Sequence, residues 1–297
     1  MLPVIPERAP AQGPPPFERI AIVGLGLIGG SIALAVRRRW AGGLVIGVDR
    51  KPVLEAAMRV GAADVSADDL GMIAGADLVI LAAPVRQNIA ALGELAEHLA
   101  GGTIVTDAGS TKADVLRAAG ALPPGAIFIG GHPLAGAAAG GIAAARPDLF
   151  DDHPWLLTTP APEPALARLE ALVEGLGAAP VRIDAADHDR LLASISHLPQ
   201  LAVSALMHVV GERAGAEGLA LAGRGLRDTT RLASSPPEIW RDIAATNAPR
   251  IREALDALIE ALQALRADLD DGDALQRVFE SAAAWKARLD GDAGGAG

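Results

Sequence analysis

The chain has 297 residues, of which 26 are Lys or Arg and 36 are Asp or Glu. Its formal net charge of −10 excludes general electrostatic binding of nucleic acid, which needs clustered basic residues. Hydrophobic residues make up 51% of the chain, which excludes disorder as its main state and allows one or two buried domains. No cysteine is present, which excludes disulfides, a thiolate nucleophile and cysteine-bound zinc, and fits a cytoplasmic location.

The N-terminal segment 1–16 contains six prolines and no periodic apolar pattern, so it is predicted to be disordered. The uncharged run 20–36 that follows has nearly the length of a membrane helix. Four glycines interrupt this run just after β-branched residues, and arginines flank both of its ends. The run is therefore interpreted as a strand followed by a helix, and association with a membrane is not predicted.

Short apolar runs alternate with amphipathic segments from Phe17 onward. The apolar runs cover residues 20–23, 44–48, 78–82, 103–106 and 127–129. Strands that alternate with helices indicate a parallel sheet covered by helices on both faces. Two more strands, at 155–159 and 180–184 around a helix at 163–175, are predicted to extend the same sheet. Residues 17–183 are thus predicted to form one α/β domain.

After Asp184 the strand pattern stops and only helices are predicted. The predicted breaks between them lie at Gly215, 223–225, 235–237 and 271–272. From Ile251 to Leu269 apolar residues recur at spacings of four and three, a heptad-like seam that needs a partner helix. A helix of the same subunit would satisfy the seam, but so long a seam in an all-helical domain favours a homodimer. Residues 184–290 are predicted to be an all-α dimerisation domain, and residues 291–297 a flexible tail.

A glycine motif follows the first predicted strand and opens the first helix. Gly24 and Gly26 allow a tight turn and close approach of the backbone to a pyrophosphate, and Gly29 allows the helix to pack on the strand. Asp49 ends the second predicted strand, where a carboxylate would bind a ribose 2′-hydroxyl. NAD is therefore predicted over NADP, although Arg50 and Lys51 leave some room for a 2′-phosphate. The predicted cofactor-binding residues are Gly24, Gly26, Leu27, Ile28, Gly29 and Asp49.

Two further clusters follow strands of the predicted sheet, at the edge where open α/β sheets bind ligands. Ser110 follows the strand at 103–106, and His132 lies between glycines and a proline, on a predicted irregular loop after the strand at 127–129. An imidazole titrates near neutral pH, so His132 is predicted to be the base that takes a proton from a hydroxyl group undergoing oxidation. Ser110 is predicted to orient that ring or to bind the same hydroxyl.

The helical half contributes two polar clusters. Ser196, His197 and Gln200 begin one helix, and Arg227 and Arg231 offer two guanidinium groups to an anion. A structural alternative exists for each cluster: His197 as a buried histidine, and the two arginines as partners of the aspartate between them.

The remaining four histidines carry no comparable signal. His98 lies on a helix face, His153 precedes a proline, His188 is flanked by two aspartates, and His208 lies on a predicted core helix. The sequence motifs of zinc hydrolases and of the α/β-hydrolase nucleophile are absent, so no metal site is predicted.

In their order along the chain, these clusters resemble the prephenate/arogenate (cyclohexadienyl) dehydrogenases of tyrosine biosynthesis. The resemblance covers residues 17–289, and the matching clusters lie at 24–31, 107–112, 130–136, 196–199 and 227–231 with 237–242. It implies an N-terminal Rossmann-type nucleotide-binding domain, an all-α dimerisation domain and a small-molecule substrate site in the cleft between them. We expect no regulatory domain after the helices and no chorismate mutase domain before them.

By this resemblance the reaction is oxidative decarboxylation of prephenate, arogenate or both, with NAD as the hydride acceptor. His132 would accept the proton of the C4 hydroxyl, and Ser110 would contact both this histidine and the hydroxyl. Arg231 would hold a substrate carboxylate. Ser196 and His197 would form a wall of the pocket.

The sequence departs from the family pattern at Gln200, where many members carry a second histidine. An amide offers both a donor and an acceptor, and we expect it to turn to suit the ketone of prephenate or the ammonium group of arogenate. Acceptance of both substrates is therefore predicted.

Two other functions remain open from the residues. A dehydrogenase of the β-hydroxyacid type would carry a catalytic lysine on its interdomain helix, but residues 184–212 contain no lysine. A catalytically silent NAD-binding module would keep the glycine motif without needing His132 and Arg231 together.

Overall fold

The computed structural model describes residues 13–137 and 139–293. Most of the predicted disordered N-terminal segment and the last four residues of the predicted C-terminal tail lie outside these ranges. The described start of that tail, residues 291–293, continues the last helix. The flexibility of the tail stays a prediction.

Six parallel strands form the main sheet. They are β1 (Arg19–Val23), β2 (Leu44–Val48), β3 (Val65–Ala67), β4 (Leu78–Leu81), β5 (Ile104–Asp107) and β6 (Ile127–Ile129). Between them lie α1 (Leu27–Arg39), α2 (Lys51–Arg59), a 3₁₀ turn at Leu70–Ile73, α3 (Val85–Leu95) and α4 (Ala113–Ala119). The spatial order is β3-β2-β1-β4-β5-β6, which is the doubly wound Rossmann order with its crevice between β1 and β4. Strands β4 and β5 are buried along their whole length because helices cover both faces.

The two predicted strands after residue 150 form a second sheet and do not extend the first. This sheet contains β7 (Gly131–Pro133), β8 (Pro154–Thr159) and β9 (Ala179–Asp184), with a 3₁₀ turn at Ile142–Ala144 before β8 and α5 (Glu163–Gly175) after it. Strand β7 pairs antiparallel with β8, and β8 pairs parallel with β9. His132 therefore lies on a short strand and not on the predicted irregular loop.

The described chain after β9, up to residue 293, is helical, as predicted. It contains α6 (Ala185–Leu192), a π-helical turn at Ala193–His197, α7 (Leu198–Ala220), α8 (Arg224–Thr229), a 3₁₀ turn at Arg231–Ser234, α9 (Pro237–Thr246), α10 (Ala248–Ala267) and α11 (Asp273–Ala293). Gly215 kinks α7 with a positive φ of 59°. The π turn ends two residues before Pro199, which has no N–H to donate to the carbonyl one turn back.

The uncharged run 20–36 is divided between β1 and α1 inside the α/β half, as predicted. Among the described residues, one helical run at 185–220 has the length and composition of a membrane-spanning helix, with a mean hydropathy of 1.2 in its most apolar window. Only 17% of that window is buried within the subunit. The apolar surface of α7 is therefore left largely uncovered by this chain.

The helical half packs on the carboxyl edge of the main sheet through α6 and α9. The carboxylate of Asp189 accepts the N–H groups of Lys112 and Ala113, each at 2.8 Å, at the start of α4. The hydroxyl oxygens of Thr111 and Thr246 lie 2.7 Å apart. These bonds fix both helices beside the ends of β5 and β6.

Candidate active site

A groove of about 880 Å³ runs along the carboxyl ends of β1, β2 and β4, and the glycine turn lines it. Gly24 has a positive φ of 93°, and a Cβ there would lie 2.7 Å from the nitrogen of Ala83. A Cβ at Gly29 would lie 1.9 Å from the carbonyl oxygen of Gly24, whereas one at Gly26 would meet no protein atom within 4 Å. At Gly24 and Gly29 the turn has no room for a side chain, whereas at Gly26 the backbone is open. A backbone that contacts a pyrophosphate needs such close access.

The first turn of α1 and the carboxylate of Asp49 complete the groove. Leu27 and Ile28 begin the helix and pack their side chains against the core. The backbone N–H groups of the first helical turn have no partner within the helix, and they favour binding of an anion. Asp49 Oδ2 accepts the N–H of Leu25, and Oδ1 accepts the N–H of Arg50, both at 2.7 Å. These bonds fix the carboxylate at the groove wall, and its remaining lone pairs are available to a ribose hydroxyl.

His132 lies on β7, where its backbone pairs with Leu156 of β8. Nδ1 of His132 lies 2.9 Å from Nε2 of His188, and Nδ1 of His188 lies 2.8 Å from Oδ1 of Asp189. His188 is fully buried and Asp189 is 3% exposed. The structure thus builds a line of three side chains, from β7 into α6, where the two halves meet.

Sequence reasoning missed His188 and Asp189 as site residues. In the sequence His188 was noted only as flanked by two aspartates; in the structure Asp187 is exposed, whereas Asp189 is buried. A signal was present in the spacing: Asp184 caps α6, and His188 shares a helix face with Leu192, four residues on, which is buried. A polar residue on a buried helix face needs a partner, which here is His132.

Lys112 was also missed. Its ammonium group is completely buried, forms an ion pair with Asp107, and donates to the carbonyl oxygen of Gly131 at 2.7 Å. Oδ1 of Asp107 accepts the N–H of Gly131 at 3.1 Å. The ion pair therefore holds both backbone polar groups of the residue before His132, and so fixes the start of β7.

Burial controls the protonation of this cluster. Burial, reinforced by neighbouring imidazoles and by the Lys112 cation, holds the pKa of His132 well below its ordinary value. Burial also lowers the pKa of His188, against the effect of Asp189, and lowers the pKa of His197 to about 4. Burial alone would raise the pKa of Asp189, but hydrogen bonds from His188 and two backbone N–H groups hold it below its ordinary value. At neutral pH the imidazoles are neutral and Asp189 is charged.

A cleft of about 350 Å³ opens beside His132. Its lining residues are His132, Pro133, Leu134, Ala135, Leu192, Ile195 and Ser196. Within the described part of the chain, Nε2 of His132 has no hydrogen-bond partner. The nitrogen that would act as the base is therefore available to a substrate hydroxyl. Ser110 is half-buried and forms no hydrogen bond with His132 within the described residues, so the predicted contact that would orient this ring is absent. The other predicted role of Ser110, binding the substrate hydroxyl, stays a prediction.

His197 is buried next to this cluster and does not line the cleft. Nδ2 of Asn247 lies 3.3 Å from Nδ1 of His197 and donates to the backbone oxygen of Asp189 at 2.8 Å. The ring of Trp240 packs edge-on against His197, with centroids 6.1 Å apart. His197 is thus a buried histidine with partners inside the subunit, which was the structural alternative. The contribution of His197 to the pocket wall stays a prediction.

Gln200 is buried, and its amide is fully engaged within the chain. Nε2 donates to the carbonyl oxygen of Leu232 at 2.7 Å and to the hydroxyl of Ser204 at 3.2 Å. Oε1 accepts from the hydroxyl of Ser235 at 3.1 Å. An amide held at three points does not turn freely, so the expectation of an adaptable amide is wrong. Because Leu232 follows Arg231, the amide holds the turn that carries this arginine against α7.

Arg227 and Arg231 are both exposed. Neither forms an ion pair with Asp228 in the described part of the chain, so the alternative of an internal pair is not supported. Both guanidinium groups face solvent and are available to an anionic ligand.

The sequence matches the model of the prephenate dehydrogenase nucleotide-binding domain over residues 32–182, and that of the prephenate dehydrogenase dimerization domain over residues 184–281. The chain belongs to the prephenate dehydrogenase family. A Bacillus subtilis relative, "Prephenate dehydrogenase", is 36% identical over 278 residues, which cover 89% of this chain and 74% of the relative.

Two solved structures of relatives have the same overall fold. Synechocystis arogenate dehydrogenase has a TM-score of 0.77 and 33% identity, covering 91% of this chain and 99% of that one. Prephenate dehydrogenase from A. aeolicus, solved with hydroxyphenyl propionate and NAD⁺, has a TM-score of 0.83 and 26% identity, covering 92% and 98%.

Family membership confirms three predictions: the resemblance itself, the combination of a Rossmann-type sheet with a helical C-terminal part, and the class of oxidoreductase. The match to the dimerization model falls on the helices that the sequence assigned to a dimer contact. The roles of the individual side chains stay predictions.

Proposed function

We propose that this member of the family catalyses the NAD-dependent oxidative decarboxylation of prephenate, of arogenate, or of both, to 4-hydroxyphenylpyruvate or tyrosine. The proposal is carried by the position of His132, whose unpaired nitrogen lies beside a cleft at the same sheet edge as the dinucleotide groove. A base beside a hydride acceptor suits the oxidation of a hydroxyl group. The substrates named for the relatives supply the substrate class.

The groove fits NAD, which supplies a hydride acceptor when bound. Gly24, Gly26 and Gly29 provide the close backbone approach, and the N–H groups at the start of α1 receive the pyrophosphate. The fixed carboxylate of Asp49 binds the ribose 2′-hydroxyl and repels the 2′-phosphate of NADP.

His132 accepts and later returns the proton of the C4 hydroxyl. As the C4 hydrogen leaves with its electron pair as hydride, the C4 hydroxyl gives its proton to Nε2 of His132 and becomes a carbonyl. The bond to the C1 carboxylate then breaks, carbon dioxide leaves, and the electron pair makes the ring aromatic. The oxygen on C4 takes the proton back from His132 and becomes a phenol. The base is thereby restored, and no proton is released in the cycle.

The other predicted side chains bind the substrate. Arg231 holds a carboxylate through its planar guanidinium group, and Ser110 hydrogen-bonds the C4 hydroxyl. Ser196 lies on the cleft wall, and the buried His197 follows it in the chain. Aromatisation supplies the driving force, so the protein mainly needs to position the hydroxyl, the base and the hydride acceptor.

We also propose that both substrates are accepted, with neither strongly preferred. The position where many family members carry a histidine holds the neutral amide of Gln200, which adds no cation to oppose the ammonium group of arogenate. Strong rejection of either substrate would need an opposed charge or a buried polar group left unpaired.

A homodimer accounts for the uncovered apolar surface of the helical half. Ile251 and Leu255 pack within the subunit, whereas Leu262 and Leu269, further along the same seam, are 56% and 67% exposed. Exposed apolar side chains on α7 and α11 are Leu206, Val209, Leu275, Phe279, Trp285 and Leu289. A second copy that covers this surface would remove it from water.

We further propose a cytoplasmic location and a boundary near residue 184 between the two domains.

The function is tested by incubating the purified chain with NAD and either prephenate or arogenate, and following NADH. We expect NADH from both substrates, with kcat/KM values within about 10³-fold of each other, because strong discrimination requires more than about 4 kcal/mol. Binding of NAD without NADH formation from either substrate would contradict the proposal and leave a silent nucleotide-binding module.

A further inference from the structure

Behind His132 a line of buried hydrogen bonds leads away from the cleft. The nitrogen-to-nitrogen distance from His132 to His188 is 2.9 Å, and the distance from His188 to the carboxylate of Asp189 is 2.8 Å. These three side chains are 9%, 0% and 3% exposed, so little water competes for their polar atoms. The proton transfer at Nε2 of His132 described above does not by itself explain this line.

The chemistry of the groups fixes the direction of each hydrogen bond. Asp189 is ionised, and its oxygens also accept the N–H groups of Lys112 and Ala113, so it acts only as an acceptor. Nδ1 of His188 must therefore carry the hydrogen, and Nε2 of this neutral ring carries a lone pair. Nδ1 of His132 then has to donate to that lone pair. The remaining nitrogen of His132, Nε2, is left unprotonated, which is the form that a base requires.

We propose that His188 and Asp189 are positioning residues that select this tautomer of His132 and share the proton it accepts. When a hydroxyl gives its proton to Nε2 of His132, the proton on Nδ1 moves across 2.9 Å to Nε2 of His188. The positive charge then lies on His188, beside the carboxylate of Asp189. When the product oxygen takes its proton back, both protons return, and no other reactant is consumed. The identity of the hydroxyl rests on the proposed function, whereas the tautomer is a property of the free protein.

The charges around His132 give this transfer its physical reason. The groups that face the line are the buried pair of Lys112 and Asp107, the neutral ring of His197, and Asp189 itself. A cation on His132 is opposed by the Lys112 cation, and both lie in a buried region where charges interact strongly. Displacement of the charge by one ring moves it into contact with a carboxylate.

The first test is Asp189→Ala, which removes the carboxylate acceptor. A hydrogen on Nδ1 of His188 would then be a buried donor without an acceptor, so this ring should carry its hydrogen on Nε2 instead, donate to Nδ1 of His132 and leave the hydrogen of His132 on Nε2. We expect kcat to fall on the order of 10²-fold or more, with the Kd for NAD unchanged. In ¹⁵N-histidine NMR spectra of the free protein, Nε2 of His132 should change from the unprotonated to the protonated type.

Asp187→Ala is the matched control. It makes the same change two residues earlier in α6, on an exposed side chain that pairs with Arg190. We expect neither the rate nor the NMR signal of His132 to change. A tautomer that is unchanged in Asp189→Ala would overturn the proposal even if stability and rate both fell, because that pattern indicates a purely structural role.

His188→Gln separates the two parts of the proposal. The glutamine oxygen can still accept from Nδ1 of His132, so the tautomer should be retained, but an amide cannot take up a proton. We expect kcat to fall about tenfold, because His132 must then hold the accepted proton without a second ring to share it. A wild-type rate with the tautomer of His132 retained would overturn proton sharing.

Failure of the proposed function would look different. If the wild-type chain oxidised neither substrate while NMR showed an unprotonated Nε2 that became protonated in Asp189→Ala, the selection of the tautomer would stand and the substrate assignment would fall.

Discussion

Gly131→Ala probes how closely the surroundings of β7 fix the base. A Cβ at residue 131 would lie 2.5 Å from the carbonyl oxygen of Asp107, 3.0 Å from Oγ1 of Thr106 and 3.1 Å from Nε1 of Trp155. The nearest of these atoms belongs to the backbone of β5, which does not yield as a flexible side chain would. Strand β7 must therefore shift, and His132 moves with it. Overpacking of this kind destabilises the fold by about 1–3 kcal/mol, and a displacement of about 1 Å at a reacting group lowers the rate on the order of 10²-fold.

The assay compares thermal unfolding, kcat/KM and NAD affinity in Gly131→Ala and in Gly93→Ala. Gly93 lies exposed on α3, and a Cβ there would meet no atom within 4 Å, so the same methyl group is added without a contact. For Gly131→Ala we expect a lower Tm, kcat/KM reduced by about 10- to 100-fold, and a Kd for NAD close to wild type. For Gly93→Ala we expect wild-type activity and a Tm that is unchanged or higher, since alanine favours a helix by up to about 1 kcal/mol. Wild-type kcat/KM and Tm in Gly131→Ala would refute the tight fixation of β7.

Three further predictions concern the cofactor, the substrate and pH. Asp49→Ser should narrow the preference for NAD over NADP in kcat/KM, because it removes the repulsion of the 2′-phosphate; an unchanged ratio would show that this carboxylate does not face the ribose. Arg231→Ala should raise KM by about 10- to 100-fold, as expected for a charge-assisted bond of about 1.5–3 kcal/mol; a rise in Arg227→Ala alone would identify the other guanidinium as the anion site. Burial lowers the pKa of three imidazoles, that of His197 to about 4, so the unfolded chain binds more protons than the native one below pH 6.5. Stability should be full above about pH 6.5 and fall towards pH 4, and denaturant unfolding with a flat midpoint over this range would contradict the buried neutral cluster.

The parts of the fold that the sequence predicts well are those decided by local pattern. Strands of the main sheet are buried on both faces and appear as continuous apolar runs, and the glycine motif carries its own turn geometry. Strand β7 was missed because it has three residues and contains glycine and proline, which are poor strand formers. Its existence depends on pairing with β8, some twenty residues further along the chain.

The polar partners at the site depend on contacts between distant segments, which the sequence does not encode in its spacing. His188 is buried because Asp189 caps the start of α4, more than seventy residues earlier in the chain. Gln200 was correctly identified as an amide that could both donate and accept. Its partners on the turn after Arg231 could only be found in the folded structure.

The central claim is that His132 is the base of an NAD-dependent oxidative decarboxylation, and His132→Asn tests it most directly. With prephenate and saturating NAD, the wild-type chain should form NADH and carbon dioxide in equal amounts. In His132→Asn the rate should fall about 10²-fold or more while the Kd for NAD stays near wild type, because the base lies outside the dinucleotide groove. Turnover close to wild type in this variant would contradict the account.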